Sequence, residues 1–499
     1  MNILVLNGSP KGENSITLQT VRFWEILYQK HTFTVLHVGQ KIRSFERDFT
    51  EAAAAIAKAD ILLFSYPVYT FIAPCQLHRF IELMKEHQVD VAGKIATQIT
   101  TSKHFYDVTA HRYIQDNCQE MGMNYIRGLS ADMEDLPTKK GQEEAKKFWK
   151  HFSWCVKQKQ FEPCYLKNTA PKHMTVNTAV TAILDDTVTC SADTSKDNSV
   201  NNSMDKSSKD CSQKSVNNQR KAPSVNYSTD VVSKKDIVTK DVVIITDVTA
   251  ENTQLNAMIT RFRSKLTVSS RVVNIREYPL KGGCLGCFHC AADGTCIYKD
   301  GFDSFLRDNI QKADAIIYAF TISDHSMGSR LKMYDDRQFC NGHRTVTMGM
   351  PMGYLISGNY SEEQNLQMIL EGRAQVGGNI LAGIATDEFA PDTAIDQLAA
   401  SLEYALKHKN TQPQNFYGVG GMKIFRDLIY QMQGFMRADY KFFKAHGQFD
   451  FPQNKKGTIL AMYLVGSMMN NKKLKAKMGT KMTEGMLMPY KKVLDDLKK

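Results

Sequence analysis

Five short apolar runs recur through the first third of the chain: ILVL (3–6), FTVLHV (33–38), ILLFS (61–65), IATQIT (95–100) and NYIRGL (124–129). Between them the apolar residues return at helical spacing, which predicts helices at Thr17–Gln29, Phe49–Lys58, Pro74–His87, Val108–Met121 and Lys139–Lys157. Strands that are each followed by a helix pair in parallel, because the crossover returns the chain to the same end of the sheet. Residues 1–165 are therefore expected to form a doubly wound α/β domain, with Pro74 placed to open its helix.

The alternation returns in DVVIITD (241–247), RVVNI (271–275), AIIYAF (315–320), TVTMGM (345–350) and NILAGIA (379–385). A second domain of the same type is expected over 241–409, as in a duplicated fold. Residues 166–240 between them include SADTSKDNSVNNSMDKSSKDCSQKSVNNQRK (191–221). Such a stretch has too little apolar surface to offset its ordering entropy, and it reads as a disordered linker in which Cys190 and Cys211 are incidental. Residues 410–499 form a third, helical region with sixteen Lys/Arg against six Asp/Glu, nearly the whole +11 net charge of the chain. That basic excess, Lys472–Lys481 included, reads as a solvated face rather than a nucleic-acid surface, and the region's Met and Phe residues suit a domain or dimer contact. A homo-oligomer is expected.

The N-terminus MNILVLNGSP has no basic leader segment, and Thr458–Met469, the longest apolar stretch of the third region, is too short to span a bilayer. A cytoplasmic protein without a transmembrane segment is expected. Eleven cysteines, four of them within residues 284–296, suggest a redox or metal site and not a disulfide framework.

LNGSPKGENS (6–15) lies between the first strand and the first helix. Gly8 permits a tight turn, while Ser9, Asn14 and Ser15 place hydroxyl and amide groups beside the free N–H groups of a helix start, a nest for a phosphate. The loop has neither a P-loop Lys-Ser/Thr ending nor the G-x-G-x-x-G spacing, so a monophosphate such as that of FMN fits it better than ATP or a dinucleotide. In a sheet of order 2-1-3-4-5, ligands sit at the carboxyl ends of the strands, where Tyr66-Pro67-Val68-Tyr69-Thr70-Phe71 and Thr100-Thr101-Ser102-Lys103-His104-Phe105-Tyr106 should join this loop.

These three segments, LNGSPKGENS, SYPVYTFIAPCQLHRFIE and TTSKHFY, resemble the NADPH-dependent FMN reductase and flavodoxin-like oxidoreductase families. The resemblance implies two flavodoxin-like domains, non-covalent FMN, hydride from NAD(P)H, and electrons passed to a quinone, small-molecule or protein acceptor. By motif, Ser9, Lys11, Asn14 and Ser15 would hold the phosphate, Pro67, Val68, Tyr69 and Thr70 the ring, and Thr101, Ser102 and His104 its far side. No protein side chain is required as a catalytic acid or base, since the flavin carries the chemistry. The second domain's first loop, TDVTAENTQ (246–254), lacks the Gly-Ser-Pro, so FMN is not expected there.

The second domain carries Cys284-x2-Cys287-x2-Cys290-x5-Cys296 instead. Three thiolates at this spacing and a fourth beyond suit a [4Fe–4S] cluster, and the motif resembles that of the iron–sulfur flavoproteins. Zinc ligation and free redox thiols remain open alternatives, as do a non-catalytic electron carrier and a redox or metal sensor for the whole chain.

Overall fold

Ile3, Leu4, Val5 and Leu6 are each at most 2% exposed, as befits a parallel strand covered by helices on both faces. In the computed structural model, which describes residues 1–166, 173–178, 240–291, 293–409 and 411–469, they form β1 (Asn2–Asn7). There follow α1 (Ile16–Leu27), β2 (Thr32–Leu36), α2 (Val38–Arg47), α3 (Thr50–Lys58), β3 (Ile61–Pro67), α4 (Cys75–Glu86), β4 (Ile95–Ser102), α5 (Asp107–Glu120), β5 (Asn124–Tyr125), β6 (Leu129–Asp132) and α6 (Lys139–Gln158). The sheet runs β2-β1-β3-β4-β5, with β6 also on β4, and every pairing is parallel.

The second sheet has the same plan. Its elements are β7 (Asp241–Thr246), α7 (Thr253–Lys265), β8 (Ser269–Asn274), the one-turn α8 (Phe302–Phe305), β9 (Ala315–Thr321), α9 (Gly328–Arg337), β10 (Pro351–Ser357), α10 (Gln364–Gly377), β11 (Ile380–Thr386) and α11 (Pro391–His408). The parallel order β11-β10-β9-β7-β8 is that of the first sheet read from the other edge. Both sheets are flavodoxin-like.

Three expectations are corrected in detail. The run 33–38 stops at Leu36 because Val38 already opens α2, and 124–129 divides between β5 and β6. The strand expected at 345–350 is instead a series of turns, with Met348 N–H on the Thr345 carbonyl and Met350 N–H on that of Thr347, both 3.0 Å. The strand is Pro351–Ser357, buried throughout; proline lacks a ladder donor but is tolerated at a strand's first residue. Within the expected linker, residues 173–178 pack on the second domain. Met174 N–H donates to the Asp387 carbonyl at 2.8 Å and Val176 is buried. The remaining linker calls, Cys190 and Cys211 included, and Lys472–Lys481 lie outside the described residues.

Residues 1–425, with both sheets, make one compact unit, and 426–499 a second. The long α12 (Phe416–Gln431) runs into the second unit, which continues through α13 (Arg437–Ala445) and α14 (Lys456–Met469). There Arg426 lies over the Phe451 ring at 4.6 Å and donates to Asp450 at 3.0 Å. Among the described residues no helix is long and apolar enough to cross a membrane.

Inside the first unit the two domains meet through α4 and α9, and the contacts are reciprocal. The N–H of Cys75, first in α4, donates to Asp336 Oδ2 of α9 at 2.8 Å, and that of Ser329, near the start of α9, to Glu82 Oε1 of α4 at 2.6 Å. Each helix start is thus capped by a carboxylate of the other, seven residues past the equivalent cap. The preceding turns match as well: Tyr69–Ile72 and Ser323–Ser326 close on themselves, with left-handed residues Thr70 (φ 40°) and Phe71 (76°) against Asp324 (42°) and His325 (58°). Lys332 bonds Thr70 Oγ1 at 3.1 Å, and its counterpart His78 meets Asp324 at 2.7 Å. Residue i touching j′ while j touches i′ is the signature of a two-fold interface, here contained in a single chain.

Candidate functional site

Where β1 ends, Asn7 organises the loop that follows. Its Nδ2 donates to the Gly12 carbonyl at 2.9 Å and its Oδ1 accepts from Ser9 N–H at 3.2 Å. Gly8 bonds the end of β3 through Ser65 O, 2.9 Å, and a Cβ there would lie 2.9 Å from Leu77. Gly12 takes a left-handed φ of 56°. Ser9 is buried and its Oγ accepts from Lys11 N–H at 3.3 Å. Ser15 caps α1, accepting from Leu18 N–H at 3.4 Å. The loop therefore curls around the start of α1, whose first N–H groups and dipole favour an anion.

The second and third loops join it. Val68 N–H donates to Thr101 O at 3.2 Å, and Thr101 Oγ1 meets Thr17 Oγ1 of α1 at 2.6 Å, so the ends of β3 and β4 are tied to α1. Ser102 Oγ accepts from His104 N–H at 2.9 Å. Tyr69 is walled in, and burial pushes its phenol well up. Three expected residues are engaged differently or stand apart. The Thr70 hydroxyl donates to Asp336 at 2.8 Å, Asn14 is exposed, and His104, 53% exposed, is paired to Asp107 at 2.8 Å.

Two contributors escaped sequence reasoning. Gly39, in the first turn of α2, lies so close that a Cβ would sit 2.3 Å from the Ser9 carbonyl carbon. Asn7 reads as an ordinary strand end until its side-chain bonds are seen.

The second domain supplies the rest of the surround. The cysteine loop lies on the first domain: Gln76 Nε2 donates to Cys284 O at 3.3 Å, and a Cβ on Gly286 would meet the Tyr69 hydroxyl at 1.9 Å and Lys11 Cε at 3.5 Å. Lys11 Nζ stands 5.1 Å from the Phe288 ring centre, and Phe339 meets Tyr69 edge-on at 5.6 Å. The four cysteines occupy separate settings. Cys284 is enclosed, with burial pushing its thiol up to about 12; Cys287 is exposed; Cys290 donates to Phe339 O at 3.2 Å; Cys296 N–H reaches Asp303 at 3.2 Å. Among the described residues no three His, Cys, Asp or Glu side chains converge as metal ligands.

The equivalent loop of the second domain has a different residue at its first position. Gly8 follows the Asn7–Ser65 pairing and Asp247 follows the matching Thr246–Ala319 pairing. A carboxylate therefore stands where the first domain has Gly8; burial raises its pKa, with Arg276 3.6 Å away.

Among solved structures the chain is similar to an apo NADH:FMN oxidoreductase, EMOB, with 19% identity over 31% of this chain and 88% of that one and a TM-score of 0.27. It is also similar to FerB, a flavoenzyme NAD(P)H:(acceptor) oxidoreductase from Paracoccus denitrificans (18%, 32% and 99%, TM-score 0.26), and to an FMN-dependent NADH-azoreductase from Bacillus anthracis (12%, 30% and 98%, TM-score 0.25). No curated protein matches the chain. Residues 1–134 match the family model described as NADPH-dependent FMN reductase.

Proposed function

We propose that the protein is an FMN-dependent oxidoreductase that draws electrons from NAD(P)H and delivers them to a quinone or another small-molecule acceptor. The observation that carries this reading is the Gly8–Ser15 loop, wrapped on the start of α1 and tied through Thr17–Thr101 and Val68–Thr101 to the other two loops. The donor set fits FMN. Ser9, Ser15 and the α1 N–H groups would hold its phosphate with Lys11 alongside, and the Pro67–Thr70 turn and Thr101–Ser102 would seat the ring. Bound there, the flavin supplies hydride acceptance and onward electron transfer.

The chain's own part is placement. Pro67 and the bonded Tyr69–Ile72 turn keep one wall stiff, while Tyr69, its phenol held neutral by burial, offers a flat face. Lys11 brings positive charge to the phosphate side, and Phe288 and Phe339 of the second domain lie against Lys11 and Tyr69. One flavin per chain follows, because Asp247 occupies the second loop.

Purified full-length chain titrated with FMN, then assayed for NADPH oxidation with a quinone, tests the reading. Ser9→Ala should lose flavin while the far-UV circular dichroism is unchanged. Colourless protein that takes up no added FMN would end the proposal.

A further inference from the structure

We propose that the cysteine loop is a thiol–disulfide centre, with Cys287 as the exchanging thiol and Cys284 as its resolving partner, fed from the neighbouring flavin site. The source of electrons rests on the function proposed above; the thiol chemistry does not. Several independent observations converge on this loop. Cys284-Leu-Gly-Cys287 is a C-x-x-C unit, the spacing at which dithiols close to disulfides. Both are free thiols, one half-buried and one open to solvent, which is the division of labour that exchange with an outside disulfide requires. The loop does not assemble a metal site among the described residues. Finally, its backbone rests on Gln76 and beside Tyr69 and Lys11 of the ring and phosphate loops.

Closure needs only a local change. Three residues of extended chain separate the Cα atoms by at most about 10 Å, whereas a disulfide needs roughly 4.4–6.8 Å. Gly286 sits between the two cysteines at φ 59° and Phe288 follows at 57°, so a turn at Gly286 can bring them together without moving the sheets.

The chemistry balances. The Cys287 thiolate attacks one sulfur of an external disulfide R–S–S–R, forming Cys287–S–S–R and expelling a thiolate, which takes the proton lost by Cys287. Cys284 then attacks Cys287 Sγ, giving the Cys284–Cys287 bond and a second RSH. Both cysteines are oxidised and the external disulfide is reduced to two thiols. Return to the dithiol takes two electrons and two protons, supplied as a hydride from NAD(P)H and a proton from water. Cys287 is the exposed member of the pair, so an external disulfide reaches it first.

The full-length chain, reduced and then treated with oxidised glutathione, should lose a pair of alkylatable thiols and yield a Cys284–Cys287 cross-linked peptide by mass spectrometry. Under the same treatment Cys284→Ser should accumulate glutathione on Cys287, and Cys287→Ser should form neither product, with circular dichroism confirming that both variants fold. Persistence of both thiols, cross-linking to other cysteines instead, or stoichiometric iron and sulfide in anaerobically purified protein would overturn the proposal. A cross-link that dithiothreitol reopens but NADPH with FMN does not would uphold the thiol centre and count against the flavin reading.

Discussion

Replacing Asp336 by Asn should weaken both the fold and the flavin site. Asp336 is fully buried and receives the Cys75 N–H and the Thr70 hydroxyl, both at 2.8 Å, and the ammonium of buried Lys332. Stranding a buried charge by removing its partner costs about 3–5 kcal/mol. Here Lys332 keeps Asp335 at 3.6 Å, the Tyr69 carbonyl at 3.0 Å and Thr70 Oγ1 at 3.1 Å, which places the loss near 3 kcal/mol. Asn also gives up a charged acceptor at the start of α4 and loosens Thr70 and Phe71, whose left-handed conformations are held at a cost on the order of 1–3 kcal/mol each. Losing even about 1.4 kcal/mol of that restraint lowers FMN affinity roughly tenfold. Urea unfolding and an FMN fluorescence titration measure the two effects. A stability change below about 1 kcal/mol with unaltered affinity would refute the view that the second domain holds the ring loop in place.

Burial lowers the pKa of His325, but Glu120 at 3.3 Å and Glu363 at 2.8 Å outweigh it and raise the value to about 9. Because the folded value is raised, this stabilisation is complete below about pH 6.5 and fades as pH climbs through 9; urea midpoints should fall across that window, and in His325→Gln they should not. Gly39→Ala should push the Ser9 backbone aside and lower FMN affinity at least about tenfold with the circular dichroism intact; unchanged affinity would release Gly39 from that role. Flavin content should saturate at one FMN per chain in wild type, and a second equivalent would show that the Asp247 carboxylate does not exclude phosphate.

Much of the architecture could be read in advance because its signals are local. ILVL and DVVIITD are runs buried on both faces, and that pattern needs no knowledge of partners. Pro351 and Gly353 hid β10, since both weaken a strand reading while the β-branched 345–350 imitates one. The turn after β1 was legible because Gly8, Ser9 and Ser15 act within a few residues of one another. Asn7 and Gly39 were not, one acting through side-chain bonds and the other through the absence of a side chain. Least visible were Glu82 and Asp336, whose partners lie 247 and 261 residues away. Spacing alone also left the cysteine ligands open, because C-x2-C-x2-C describes reach along the chain and not where each sulfur points.

The crossed carboxylate caps bear on how such a chain can change over evolutionary time. A mutation in either helix is answered by a residue encoded in the opposite half of the gene, so the two halves are bound to change in step along this seam. Away from it they are free to differ, as Gly8 and Asp247 do at matching positions.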